Sequence, residues 1–223
     1  MIIELFLNHG VRNIIYFEIR KKLLLHILKL KKVLQHHFIV TQKKKTGFLI
    51  LKGTAEVQIG IYKKNIKKYK PMSILVLRPG LFHRIKANKN SDLFALEIEN
   101  PYLKNDLIRM QDNYGRKNKG YEKLKNTRAL EKNDIIFKIP KISFKNKYKL
   151  NDIKIEISYY KNFKDLKSYD DKSISIILDG KVISHHKKTV ITAGEIVKSY
   201  TLKQLVKDFK IDNKILLLKA SKK

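Results

Sequence analysis

The sequence predicts an all-β protein made of two small antiparallel units, and three observations carry that prediction. The first half holds short apolar runs broken by glycine and proline at close spacing, the pattern of a sandwich or barrel. The second half repeats the theme. The segments FLILKGTAEV (48–57) and SIILDGKVIS (175–184) also share an apolar run, a polar residue, a glycine and a returning strand, with the glycines 180 − 53 = 127 residues apart.

In order along the chain, Phe48 to Leu51 ends at Lys52-Gly53, and Ala55 to Ile59 alternates before Gly60. Ile74 to Leu77 stops at Pro79-Gly80, and Leu93 to Ile98 ends at Asn100-Pro101. Past the middle, Ile153 to Tyr159 alternates with Ile153, Ile155 and Ile157 on one face. Ile174 to Leu178 runs into Asp179-Gly180, Lys181 to Ile183 returns, Ala193-Gly194 precedes Ile196-Val197, and Ile215 to Leu218 is the last strand. Leu23, Leu24, Ile27, Leu30 and Leu34 fit helical spacing within 20–38, and Leu/Lys composition favours a helix locally. A basic amphipathic helix there would serve core packing, a membrane surface or a partner. Short helices are expected over Lys203 to Lys210 and Lys123 to Leu130. The polar stretch Lys104 to Asn133 reads as a connection, in which Asn105 or Asp106 offers a turn cap. The expected organisation is a domain over 1–116, a linker over 117–133 and a second β domain over 134–223.

Composition narrows the classes. Lys plus Arg number 50 against 20 Asp plus Glu, a formal charge of +30, which attracts nucleic acid or anionic membrane at long range. The lysines are spread over the whole length, as an A/T-rich coding sequence would produce, whereas a dedicated nucleic-acid face is concentrated and interleaved with aromatics. Nucleic acid is therefore a lesser candidate partner, through the high positive charge. With no cysteine there is no disulfide framework, thiolate metal site or cysteine nucleophile. No signal-peptide pattern or membrane-length apolar run is found, so a cytoplasmic protein without a membrane span is expected. The sequence holds no GxSxG, P-loop, GxGxxG or HExxH. Glu97 and Glu99 lie two apart on a strand and share one side of the sheet. Such a pair offers acid/base chemistry if one pKa rises; the plainer reading is a solvated face answered by lysines. Arg84, Arg109 and Arg116 stand out in a lysine-dominated chain, and a guanidinium suits bidentate phosphate contact. His185-His186 are adjacent and cannot both line one pocket from a strand, so they are read as surface.

Three stretches in order carry a family resemblance. GFLILKGTAEVQIG (47–60), PGLFHR (79–84) and ALEIENPYLKNDLIRMQDNYGR (95–116) resemble the cupin domain of type II mannose-6-phosphate isomerases, a domain also fused to mannose-1-phosphate guanylyltransferases. The resemblance covers about a third of the chain, ends on Asp112-Asn113-Tyr114-Gly115-Arg116, and makes a strand near Leu24 to Leu30 the better expectation. Residues 128–223 resemble no motif of that family, and only the internal repeat suggests a second barrel there; together they give an expectation of two cupin-like double-stranded β-helix (jelly-roll) barrels, the second degenerate. The resemblance also implies a divalent metal held by two histidines and a glutamate of the first motif and one histidine of the second, polarising the sugar carbonyl and its neighbouring hydroxyl. His83 takes the second-motif position. Counted without gaps from Gly53, the glutamate position holds Thr46 and the histidine positions hold Ile39 and Thr41. Matching Leu34-Gln35-His36-His37 to the family's Leu-Gln-x-His instead restores His37, and with it His36 as a further donor. The expected site is thus His83 and His37 for a metal, with Arg84, Arg109 and Arg116 for the phosphate of a sugar phosphate or nucleotide sugar. The implied role lies in carbohydrate or surface-polysaccharide metabolism, as a sugar isomerase or as a non-catalytic binding or regulatory cupin, with a homodimer through barrel edges.

Overall fold

The computed structural model describes residues 6–8, 11–19, 23–32, 38–62, 64–103, 106–111, 137–150, 152–166, 170–205 and 208–222. The chain divides into two compact units, Met1–Phe137 and Lys138–Lys223.

The first unit contains β1 (Phe6–Asn8), β2 (Val11–Ile19), β3 (Leu23–Leu30), β4 (Phe38–Val40), β5 (Lys45–Lys52), β6 (Ala55–Ile59), β7 (Ile66–Tyr69), β8 (Ile74–Leu77), β9 (His83–Ala87), β10 (Leu93–Asn100) and β11 (Ile108–Gln111). One sheet runs β1-β2-β3-β10-β5-β8 and the other β11-β4-β9-β6-β7. The interleaved cores of the two, β3-β10-β5-β8 and β4-β9-β6-β7, are the strand order of a double-stranded β-helix, and every pairing is antiparallel. Leu28, Leu30, Phe48, Ile50, Leu75, Leu77, Leu93 and Ala95 of the first sheet pack on Ala55, Val57, Ile85 and Ala87 of the second. Burying one such large side chain stabilises the fold by roughly 1.5–3 kcal/mol.

The opposite face of the β3-β10-β5 sheet is buried too, through Leu23, Leu25, Ile27, Leu49, Leu96 and Ile98. Two buried faces give continuous apolar runs instead of alternation. That is why Leu23 to Leu30 mimics helical spacing, and the structure replaces that helix with strand β3.

The second unit contains β12 (Lys145–Leu150), β13 (Ile153–Tyr160), β14 (Ile174–Asp179), β15 (Lys181–Ser184), β16 (Thr189–Thr192), β17 (Ile196–Lys198), α1 (Ser199–Gln204), β18 (Phe209–Ile211) and β19 (Ile215–Lys222). Its sheets run β12-β13-β19-β14-β17 and β16-β15-β18. The segment β13-β19-β14-β17 reproduces β3-β10-β5-β8, and β18-β15-β16 reproduces β9-β6-β7. The counterpart of β4 is absent among the described residues, and a 3-10 turn, Phe163–Leu166, follows β13 instead. The helix expected over 203–210 is corrected: α1 starts at Ser199, where Leu202 enters the apolar cluster. Phe209–Ile211 is extended because it pairs with β15. The helix expected over 123–130 and the 112–116 signature lie outside the described residues.

The repeat read at Gly53 and Gly180 is exact in the backbone. Both glycines have positive φ, +77° and +84°. A Cβ on Gly53 would meet the Asp92 carbonyl oxygen at 2.2 Å, and one on Gly180 the Lys214 carbonyl oxygen at 2.3 Å. Each of those carbonyls immediately precedes the strand that joins the two halves of its unit's main sheet, β10 or β19. A bulge recurs at the same offset: pairing skips Leu51 in the first unit and Leu178 in the second, and 178 − 51 = 127.

Candidate functional site

The site implied by the resemblance is the interior face of the first unit, where the strands set each side chain by parity. On β9, His83 shares its face with the core residues Ile85 and Ala87. Ile39 of β4 stands directly opposite His83, and Arg109 of β11 directly opposite Ile39. On the facing sheet, Thr46 shares its face with Phe48 and Ile50, and Glu97 and Glu99 share theirs with Leu93 and Ala95. Thr46 is the register partner of Glu99.

His83 is 1% exposed. Its Nδ1–H donates to the Leu81 carbonyl at 3.0 Å, which leaves Nε2 as a lone-pair nitrogen, buried and without a hydrogen-bond partner. Burial holds its pKa below the ordinary histidine value, the Leu81 bond offsetting this in part, so the ring is neutral. This is the posture of a metal-binding imidazole.

The surrounding residues do not fit a metal. Ile39 has no donor atom. The Thr41 hydroxyl donates to the Lys44 carbonyl at 2.8 Å. Thr46 offers only a neutral hydroxyl, and the fully buried Lys44 ammonium already holds the Glu99 carboxylate at 2.8 Å. Among the described residues no three histidine or acidic side chains converge as a metal centre. His36 and His37 lie outside the described residues.

What the interior does contain is a pair of buried ion pairs built on β10. Glu97 Oε2 is 2.6 Å from His26 Nε2, its register partner on β3. Glu99 meets Lys44 from the turn before β5. The solvated-face reading of the two glutamates is therefore corrected: they are 3% and 4% exposed. The physical reason is register, since the parity that puts Leu93 and Ala95 inside also carries Glu97 and Glu99 inside. Burial alone would lower the His26 pKa, but the Glu97 carboxylate outweighs it and leaves the value raised. The turn that presents Lys44 is itself clamped. Asp106 accepts the backbone N–H groups of Gln42, Lys43 and Lys44 at 2.7, 2.8 and 2.7 Å. Burial would raise its pKa, yet these three bonds hold it below the ordinary carboxylate value.

His26 and Lys44 were passed over in the sequence; the available signal was that inward glutamates require inward cations. Of the three candidate arginines, the two that are described, Arg84 and Arg109, face opposite sides of their sheet. Arg109 is 5% exposed on the interior row of His83. Arg84, next to His83 in β9, points to the other face and donates to Gln58 Oε1 at 2.8 Å. Arg116 lies outside the described residues. His185 and His186 are exposed in the turn after β15.

No family model matches the sequence, and no curated protein matches it. Solved structures are similar in part. The cupin domain of Schizosaccharomyces pombe Cnp3 is 11% identical, with 43% of this chain and 67% of that chain covered and a TM-score of 0.38. The capsular polysaccharide assembling protein CapF from Staphylococcus aureus is 12% identical over 48% of this chain, with a TM-score of 0.39, and this chain covers only 34% of it. KdgF from Halomonas sp. is 12% identical over 44% of this chain and 85% of that one, with a TM-score of 0.36. The strand order of the two units is by itself that of an all-β, cupin-like double-stranded β-helix.

Proposed function

We propose that this chain is a carbohydrate-related cupin protein. In this reading it binds a sugar phosphate or nucleotide sugar, and its first barrel has exchanged metal catalysis for a paired-charge interior. The carrying observation is the content of the three first-motif positions. Ile39, Thr41 and Thr46 supply no carboxylate or imidazole, and Lys44 brings a buried cation beside them. A cation at that place repels a divalent ion and leaves the interior suited to recognition. Arg109, on the interior row of Ile39 and His83, is the guanidinium placed to meet a phosphate there.

The second reading, a metal-dependent mannose-6-phosphate-isomerase-like enzyme, is favoured by the buried lone pair of His83 Nε2. Metal analysis of the full chain after exposure to Mn, Zn and Fe, with an isomerase assay on mannose 6-phosphate and calorimetry in parallel, separates the two. The binding reading expects substoichiometric metal, saturable heat and no turnover. A stoichiometric ion and turnover, both lost in His83→Ala, would replace it with the isomerase.

A further inference from the structure

The second unit presents a basic cavity on its main sheet. On its main sheet Lys147, Glu156 and Lys219 stand side by side across β12, β13 and β19, and Lys149, Lys154 and Ser221 form the next row. These rows lie on the interior face, because Glu156 and Lys219 share parity with the core residues Tyr160 and Leu217. They line a cavity of about 590 Å³ together with Tyr148 and Ile155. In the first unit the smaller sheet continues past β9 into β4 and β11; in the second unit it ends at β18 among the described residues.

Two features mark this face as a site for an anion. Lys149 stands directly opposite Lys154, an arrangement that costs stability unless a negative group answers it. Among the described residues Lys147, Lys149 and Lys154 form no salt bridge. The one lining carboxylate, Glu156, is committed at Oε1 to Lys145 Nζ and the Tyr160 hydroxyl, both at 3.2 Å. We infer that this cavity binds the phosphate of a small phosphorylated ligand, with Lys147, Lys149, Lys154 and Lys219 as its contacts. The volume falls within the roughly 300–1,000 Å³ of small-ligand pockets. Tyr148, the aromatic of the lining, is held by its hydroxyl, which accepts the Lys138 N–H at 2.8 Å. Lys219 is half-buried, and burial first, then Lys145 and Lys147, holds its pKa below the ordinary lysine value; a bound phosphate would raise it again. The site shares no residue with the first barrel, so it stands or falls apart from the metal reading.

The test titrates inorganic phosphate, pyrophosphate and a hexose 6-phosphate into the full chain at fixed ionic strength, by calorimetry and amide chemical shifts. Shifts confined to β12, β13 and β19 are expected. Lys147→Gln/Lys219→Gln and, separately, Lys149→Gln/Lys154→Gln should weaken binding by about tenfold or more. Lys67→Gln/Lys68→Gln, which removes the same charge from exposed positions of the first unit, should change it little. The pyrophosphate and hexose 6-phosphate arms tell a nucleotide-type source from a sugar phosphate, and tighter binding of either supports the site. Absence of phosphate binding overturns the proposal, as does equal weakening by the control pair. Binding of single-stranded DNA through these lysines that neither phosphate nor hexose 6-phosphate displaces would also overturn it.

Discussion

In the first unit one row across the sheet reads His26, Glu97, Phe48; in the second the equivalent row reads Glu156, Lys219, Ser175. The equivalence follows from the shared offset, since 175 − 48 = 127 and Glu97 and Lys219 are the partners of Phe48 and Ser175. The frame is the same and the sign of the central charge is reversed. In the first unit the charges are buried and paired; in the second the row opens onto a cavity. A double-stranded β-helix thus fixes where a polar group stands, while the residue type decides whether that position becomes core or ligand surface.

The largest expected contrast comes from removing one interior cation from each unit. Lys44→Met strands the Glu99 carboxylate in the interior and should cost about 3–5 kcal/mol, whereas Lys44→Met/Glu99→Met should recover most of that loss. Lys219→Met, half-exposed, should cost less than about 1 kcal/mol. Urea titrations of the three variants check the ordering; equal losses in the two units would break the comparison.

The frame itself is tested by Gly53→Ala and Gly180→Ala. Each places a methyl group against a backbone carbonyl at a positive φ and should cost about 2–4 kcal/mol. Amide exchange should show the loss in β5, β6 and β10 for the first variant and in β14, β15 and β19 for the second. A cost in one unit only would break the exactness of the repeat.

A pH series distinguishes the two interior histidines. The raised pKa of His26 means its contribution is complete below its ordinary value of about 6.5 and fades as pH rises through the folded-state value. His26→Gln should therefore cost most at acidic pH, by about 1–2 kcal/mol. The lowered pKa of His83 works oppositely, its neutral burial losing stability as pH falls below about 6.5. His83→Gln should flatten that acid-side decline.

A small effect is also expected at Ser199, whose Oγ lies 2.7 Å from Ser173 Oγ and 2.8 Å from Ser175 Oγ in the interior of the second unit. Ser199→Ala should cost about 1 kcal/mol by removing that bridge, read as a shift in the urea midpoint.

The strands around Gly53, Gly60, Gly80 and Gly180 were legible because glycine and proline punctuate runs whose length suits a strand. β7 and β12 were not: both are Lys-rich edge strands, and their pairing with β6 and β13 leaves no apolar signature. His83 was legible through PGLFHR, and the vacancy of the first-motif ligands through Thr46. The partners that replaced those ligands, His26 and Lys44, are 71 and 55 residues from Glu97 and Glu99. Contacts across such separations come from sheet order, which a local pattern does not encode.

That sheet order also fixes a sequence of events. The strand at the centre of each main sheet, β10 or β19, is the last of its unit's jelly-roll core to leave the ribosome, and β3 and β5, like β13 and β14, are joined through it. Until it emerges, a nascent unit holds its hairpins with unjoined edges, a state open to pairing with other chains. Each jelly-roll core is therefore closed from its flanks inward, by the strand of that core made last.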